Sequence, residues 1–201
     1  MIPFFLKTLL HLGFQLTVTG VTANSMRNEK IAKKWLWLIC IVGLFFGMQV
    51  ERLPLTIRMI MFFVFSVLNG FILSAFLKHT TAKEIESAIF YTMFLFVTMC
   101  VVGYLLTKYH VDITPLILLV AVYSLTMLII YMYMLFFDVQ TKTRQLIRIA
   151  AIALIAMYIV VDTYINFEKE YDNDLVLSTL AYYTDVLGLF QNMLGYFSNE
   201  E

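Results

Sequence analysis

Charge is scarce in this sequence. Lys, Arg, Asp and Glu make up 14% of its 201 residues, where a soluble domain carries about a quarter. The few charges cancel, 14 basic against 14 acidic, so no basic face argues for nucleic acid as a partner. Only two cysteines occur, Cys40 and Cys100. Each sits inside an apolar run and reads as a packed thiol, not as half of a disulfide or metal pair. His11, His79 and His110 are too dispersed for a zinc site, which needs three or four convergent ligands. No ATP motif, low-complexity tract or clear internal repeat is present, and no loop is long enough to fold as a domain. The opening "MIPFFLKTLLHLGFQLTVTGVTAN" lacks the basic n-region of a secretory leader. Lys7, His11 and Gln15 also interrupt its apolar run, so it reads as a first membrane span.

What is abundant is apolar, at 61% of the chain, and it falls into runs of the roughly 20 residues that a membrane-crossing helix needs. Seven such runs are found, at about 3–24, 33–50, 54–77, 83–107, 114–137, 145–166 and 175–197. The expected fold is an all-α membrane protein, one seven-helix transmembrane domain over residues 1–201. Thr81 with Glu84 fits a capping box at the start of the fourth span. In "DITP", Thr114 is the expected N-cap and Pro115 the first helical residue. Small residues four apart let helices approach closely in lipid. Gly43 with Gly47, and Ser66 with Gly70 and Ser74, are read as such packing positions.

The seventh span carries the least ordinary pattern. Ser178, Ala181, Asp185, Gly188, Asn192 and Gly195 recur at spacings of three and four, which keeps them on one helix face. All are small or polar, so this face wants protein or water against it. A charged Asp at the bilayer centre costs about 2.5–3.5 kcal/mol even on the lenient insertion scale, which argues that Asp185 points into an interior path. The sixth span holds a second carboxylate, Asp162. With a turn between two antiparallel helices, and 1.5 Å of rise per residue, the two lie at depths within about two turns of each other. Two buried carboxylates close together cannot both ionise cheaply and titrate as one unit, a proton sensor in physical terms. The plainer alternative is a protonated Asp that only hydrogen-bonds a neighbouring helix.

Three stretches resemble the Bax inhibitor-1 family, the transmembrane Bax inhibitor motif proteins. "LNGFILSAF" (68–76) is similar to that family's third span. "AIFYTMFLFVTMCVVGYLLTKYHVDIT" (88–114) is similar to its fourth span and following turn, with Gly103, Tyr104 and Asp112 at matching places. "YIVVDTYINFEKEYDNDLVLSTLAYYTDVLGLFQNMLGYF" (158–197) resembles its C-terminal signature. The resemblance implies six helices surrounding a central C-terminal helix. It also implies a pH-sensitive calcium leak with Asp162 and Asp185 as the sensor. It further implies an arginine near the start of span three that pairs with Asp162 in the closed state; Arg52 and Arg58 are both candidates, and spacing to Gly70 favours Arg52. Arg27, Lys30, Lys33 and Lys34 in loop one would place that loop in the cytoplasm by the positive-inside rule. The family topology places it outside.

The leading reading is therefore a passive cation pathway in the lipid bilayer. Ca²⁺ takes six to eight oxygen ligands. Asp162 and Asp185, with Ser178, Asn192 and water, supply some of them, and Ser178, Gly188 and Asn192 are the candidates to line the pore. Such weak calcium binding suits passage, because an ion must also leave. Calcium enters as the transported ion, and no cofactor is implied. The rival reading is a non-transporting membrane regulator that binds membrane proteases or cell-death and stress proteins. An enzyme is disfavoured, because Asp185 follows "YYT" where intramembrane aspartyl proteases have a "GxGD" context. The expected location is a bacterial plasma membrane, or an ER- or Golgi-type membrane for a eukaryotic or viral chain.

Overall fold

A computed structural model describes residues 3–27, 34–50, 52–78, 80–168 and 174–198. Among these the chain is all-helical: α1 (Phe4–Ser25), α2 (Lys34–Met48), α3 (Leu55–Leu77), α4 (Ala82–Lys108), α5 (Thr114–Phe136), α6 (Thr141–Glu168) and α7 (Leu175–Phe197). Each lies within a few residues of an expected span. α6 begins earlier than its apolar run because the polar segment Thr141–Gln145 continues the helix. Five helices, α1, α3, α4, α5 and α6, are long and apolar enough to cross a membrane. α2 has only 15 residues, and α7 has the length but carries the polar stripe. Lys30, Lys33, His79 and residues 169–173 lie outside the described residues.

The helices group into two compact units, Met1–Thr81 with Tyr171–Thr184 and Ala82–Glu170 with Asp185–Glu201. α7 contributes its first ten residues to one and the remainder to the other.

In the first unit α3 packs against both α1 and α2. The buried face of α1 carries Thr8, Leu12, Gln15, Thr19 and Ala23, a helical repeat of which three members are polar. Thr8 and Thr19 donate to the carbonyls four residues back, which meets part of their hydrogen-bonding need without a second helix. α1 and α3 come together at Gly70, where an added Cβ would lie 2.6 Å from Thr22 Cβ and 2.8 Å from the Thr19 carbonyl oxygen. Beside this crossing, the rings of Phe62 and Phe65 stand 5.4 and 5.7 Å from that of Tyr183.

In the second unit α6 packs against α4 and α5. Ile113, Val120 and Met127 recur every seven residues and meet Ala151, Leu154 and Val161, a repeat that keeps one seam facing its neighbour along the helix. Tyr123 donates to the Ala150 carbonyl at 2.8 Å, and the Ser124 and Tyr158 hydroxyls lie 2.5 Å apart. α4 meets α6 at Gly103, where a Cβ would lie 2.7 Å from both Thr163 Cβ and the Val160 carbonyl oxygen. After α4 the chain turns at His110, whose φ of 50° is in the left-handed region. Asp112 Oδ1 then accepts hydrogen bonds from Thr114 N and Oγ1 at 2.9 and 2.6 Å, which holds its carboxyl below the usual carboxylate range. The N-cap of α5 is Ile113; Thr114, the expected cap, is instead the first helical residue.

The packing glycines divide differently from expectation. Gly70 is a close approach, but Gly43 has nothing within 4 Å of its would-be Cβ, and Gly47 meets only the flexible end of Met61. Gly103→Val is expected to cost about 1–3 kcal/mol by overpacking, and Gly43→Val no more than a few tenths. Denaturant titration in detergent reads both, and equal costs would remove the crossing as the cause. His110→Gly, at an exposed position, is expected to stabilise by about 1 kcal/mol because glycine adopts positive φ without penalty.

Candidate functional site

Each half of α7 holds its own polar cluster. The second unit contains the carboxylate pair. Asp185, 9% exposed, lies within electrostatic range of half-buried Asp162 of α6. Asp185 Oδ2 is buried and has no hydrogen-bond partner among the described residues. Two ionised carboxylates at such range repel each other, and a hydrogen bond between them would require that one carry a proton. Cys100 of α4 hydrogen-bonds Thr163, the residue after Asp162, and lies within electrostatic range of Asp185.

The other stripe residues sit against protein. The would-be Cβ of Gly188 is 3.1 Å from Ile155 Cδ1, and Gly195 lies under the guanidinium of Arg148. Asn192 donates to the Gly188 carbonyl of its own helix at 2.8 Å. The off-stripe residues Leu180, Tyr183, Leu187 and Leu194 are buried as well, so burial extends beyond the polar face. Among the described residues no three His, Cys, Asp or Glu side chains are grouped to hold a metal.

The first unit holds a network that the sequence shows only as Lys7, His11 and Gln15 interrupting the apolar run of the first span. Ser66 Oγ donates to Gln15 Oε1 at 2.7 Å, Gln15 Nε2 lies 3.3 Å from His11 Nε2, and His11 Nδ1 lies 3.2 Å from Thr179 Oγ1. Thr179 in turn donates to the Leu175 carbonyl. With the amide nitrogen of Gln15 as donor, His11 Nε2 must accept, so the network assigns the ring hydrogen to Nδ1. Thr8 and Ser178 lie 3.2 Å apart, and the Tyr183 hydroxyl lies 2.7 Å from Thr19 Oγ1. Lys7 is exposed and outside this chain. Ser178, expected to line a pore, is engaged with α1.

Arg58, 4% exposed, forms an ion pair with Asp174 (Nη1 to Oδ2, 2.5 Å), and its Nε donates to the Met48 carbonyl. Asp174 is also the N-cap of α7: its Oδ1 accepts from the backbone N–H of Val176 and Leu177 at 2.9 and 3.1 Å. An acidic residue just before an apolar helical run is the N-cap signal, and that much was readable. Its pairing with a residue 116 positions away was not. Arg52 is exposed.

A family model described as inhibitor of apoptosis-promoting Bax1 matches residues 3–201. Among curated proteins no match is found.

Breaking a buried ion pair from one side strands the other charge. Asp174→Asn, which keeps an N-cap side chain, is expected to cost about 3 kcal/mol, and Arg58→Met with Asp174→Asn less than Asp174→Asn alone. Denaturant midpoints of the detergent-solubilised variants measure this. A cost under about 1 kcal/mol for Asp174→Asn would mean that the pair holds nothing.

Proposed function

The chain belongs to the Bax inhibitor-1 family, and on that footing we propose that this multi-pass integral membrane protein is a passive, pH-sensitive cation leak with calcium as its ion. The observation that supports the reading is the closeness of Asp162 to Asp185, whose Oδ2 is buried and has no hydrogen-bond partner among the described residues. Held by a shared proton, the pair is a closed contact between α6 and α7. Loss of that proton leaves two like charges in contact, which repel and draw in water or a cation. The two carboxylates offer a divalent ion too few ligands for tight binding, and weak sites suit conduction. In the absence of an ATP motif, flux runs down its gradient. The family's arrangement of six helices around α7 goes with this proposal.

A second reading is a non-transporting regulator of cell-death or stress proteins or of membrane proteases. The family description, an inhibitor of apoptosis-promoting Bax1, supports it. Such a protein would act through helix–helix contacts.

Calcium flux into proteoliposomes across pH separates the two. Asp162→Asn and Asp185→Asn are each expected to abolish the pH dependence without abolishing flux. The double variant should match either single one, because coupled residues are not additive. A pH profile that survives both substitutions would place the sensor elsewhere. No flux at any pH, with a partner retained in mild-detergent pulldown, would favour the regulator.

A further inference from the structure

His11 is a titratable side chain two turns into α1, half-buried, and the leak makes no use of it. Both of its ring nitrogens are engaged. Nδ1 lies 3.2 Å from Thr179 Oγ1, and the Thr179 hydroxyl gives its own hydrogen to the Leu175 carbonyl at 2.6 Å. Thr179 Oγ1 therefore accepts, and Nδ1 carries a hydrogen whether or not the ring is charged. Nε2 lies 3.3 Å from Gln15 Nε2, while Gln15 Oε1 accepts from Ser66 at 2.7 Å. The whole difference between the neutral ring and the imidazolium thus falls at Nε2, opposite Gln15.

What stands opposite Nε2 is reversible. The Gln15 amide, 1% exposed, is a donor at one end and an acceptor at the other, and the Ser66 hydroxyl both donates and accepts. With the amide as it stands, a protonated Nε2 would set two N–H groups against each other. Turned over, the amide presents Oε1 to that N–H and its NH2 to Ser66 Oγ. Both hydrogen bonds are kept, and both change direction.

The charges around the ring leave it to these hydrogen bonds. On α1 the neighbouring charge is Lys7, one turn away and exposed. From α3 the Phe62 ring stands 5.5 Å from the imidazole, and Arg58, one turn before it, is held by Asp174. From α7 the Tyr183 hydroxyl lies against Thr19, and Asp185 is six residues beyond Thr179, about 120° round the helix. Among the described residues no ion pair includes His11.

We propose that His11 is a proton-binding site of its own, separate from the carboxylate pair, and that a proton taken up at Nε2 turns over the Gln15 amide and reverses the hydrogen bonds joining α1 to α3. The proton comes from water and adds to the Nε2 lone pair. The hydrogen on Nδ1 stays on Thr179, and no covalent bond breaks.

Nitrogen-15 NMR of the full chain in lipid nanodiscs tests this, with His79→Gln and His110→Asn leaving His11 as the single imidazole. The titration spans about two pH units on either side of the ordinary histidine value of about 6.5. At the basic end the ring is expected to be neutral with its hydrogen on Nδ1. Toward the acid end one proton should add at Nε2, and the Gln15 side-chain amide signals should shift along the same curve. Gln15→Leu, which offers no acceptor, should weaken proton binding about tenfold, the factor that a hydrogen bond to a charged group supplies. Thr17→Ala, on the exposed face of α1, should leave it unchanged. Asp162→Asn and Asp185→Asn should also leave it unchanged, which keeps this result apart from the fate of the leak. Circular dichroism confirms that each variant folds; should Gln15→Leu fail to fold, the ring and amide signals of the single-imidazole protein still decide. A neutral ring with its hydrogen on Nε2, a folded protein whose ring takes up no proton across the titration, or Gln15 amide signals that do not follow the ring would each overturn the proposal. So would undiminished proton binding in Gln15→Leu, or loss of the His11 titration in either Asp variant.

Discussion

In a hydrocarbon medium a polar atom finds its partner inside the protein or nowhere, since lipid tails neither donate nor accept hydrogen bonds. Most of this structure follows from that constraint. α1 turns a polar face inward, and each polar side chain on it is matched: Thr8 with Ser178, His11 with Thr179, Gln15 with Ser66, Thr19 with Tyr183. A soluble helix of this composition would reverse the arrangement, with its threonines and glutamine in water. Here water is the scarce partner, and the apolar side chains Leu6, Leu10, Phe14 and Val21 are the exposed ones.

The charged residues obey the same constraint in two opposite ways. Arg58 and Asp174 bring unlike charges together, and Asp174 spends its second oxygen on the two free N–H groups at the start of α7. In the proposed leak Asp162 and Asp185 bring like groups together, a contact that a shared proton would make favourable.

Sequence patterning reached the helices because an apolar run of the right length has few other uses, and it reached Asp185 because the period of its small and polar neighbours is that of a helix. It failed where spacing alone carries no information about what stands opposite. Gly43 and Gly47 have the spacing of a close helix contact, yet Gly43 faces open space, whereas Gly103 lies in a tight crossing without a four-residue partner. The Arg58–Asp174 pair joins residues with over a hundred positions between them, beyond the reach of any local rule. The polar network of α1 was half legible: His11 and Gln15 were visible as polar breaks in an apolar run, but their partners on α3 and α7 required the fold.

The two glycine crossings have one chemistry. In each, a glycine lies against a threonine Cβ and against the carbonyl oxygen three residues before that threonine: Gly70 against Thr22 and Thr19, Gly103 against Thr163 and Val160. With no side chain to act as a spacer, the backbones themselves are the contact surface. Sliding one helix along its neighbour would drive the next side chain into that backbone, since tightly packed surfaces do not deform gradually. Scissoring about the contact point leaves it intact. Each crossing therefore behaves as a pivot: it forbids axial sliding between its two helices and leaves a change of crossing angle as the low-cost motion.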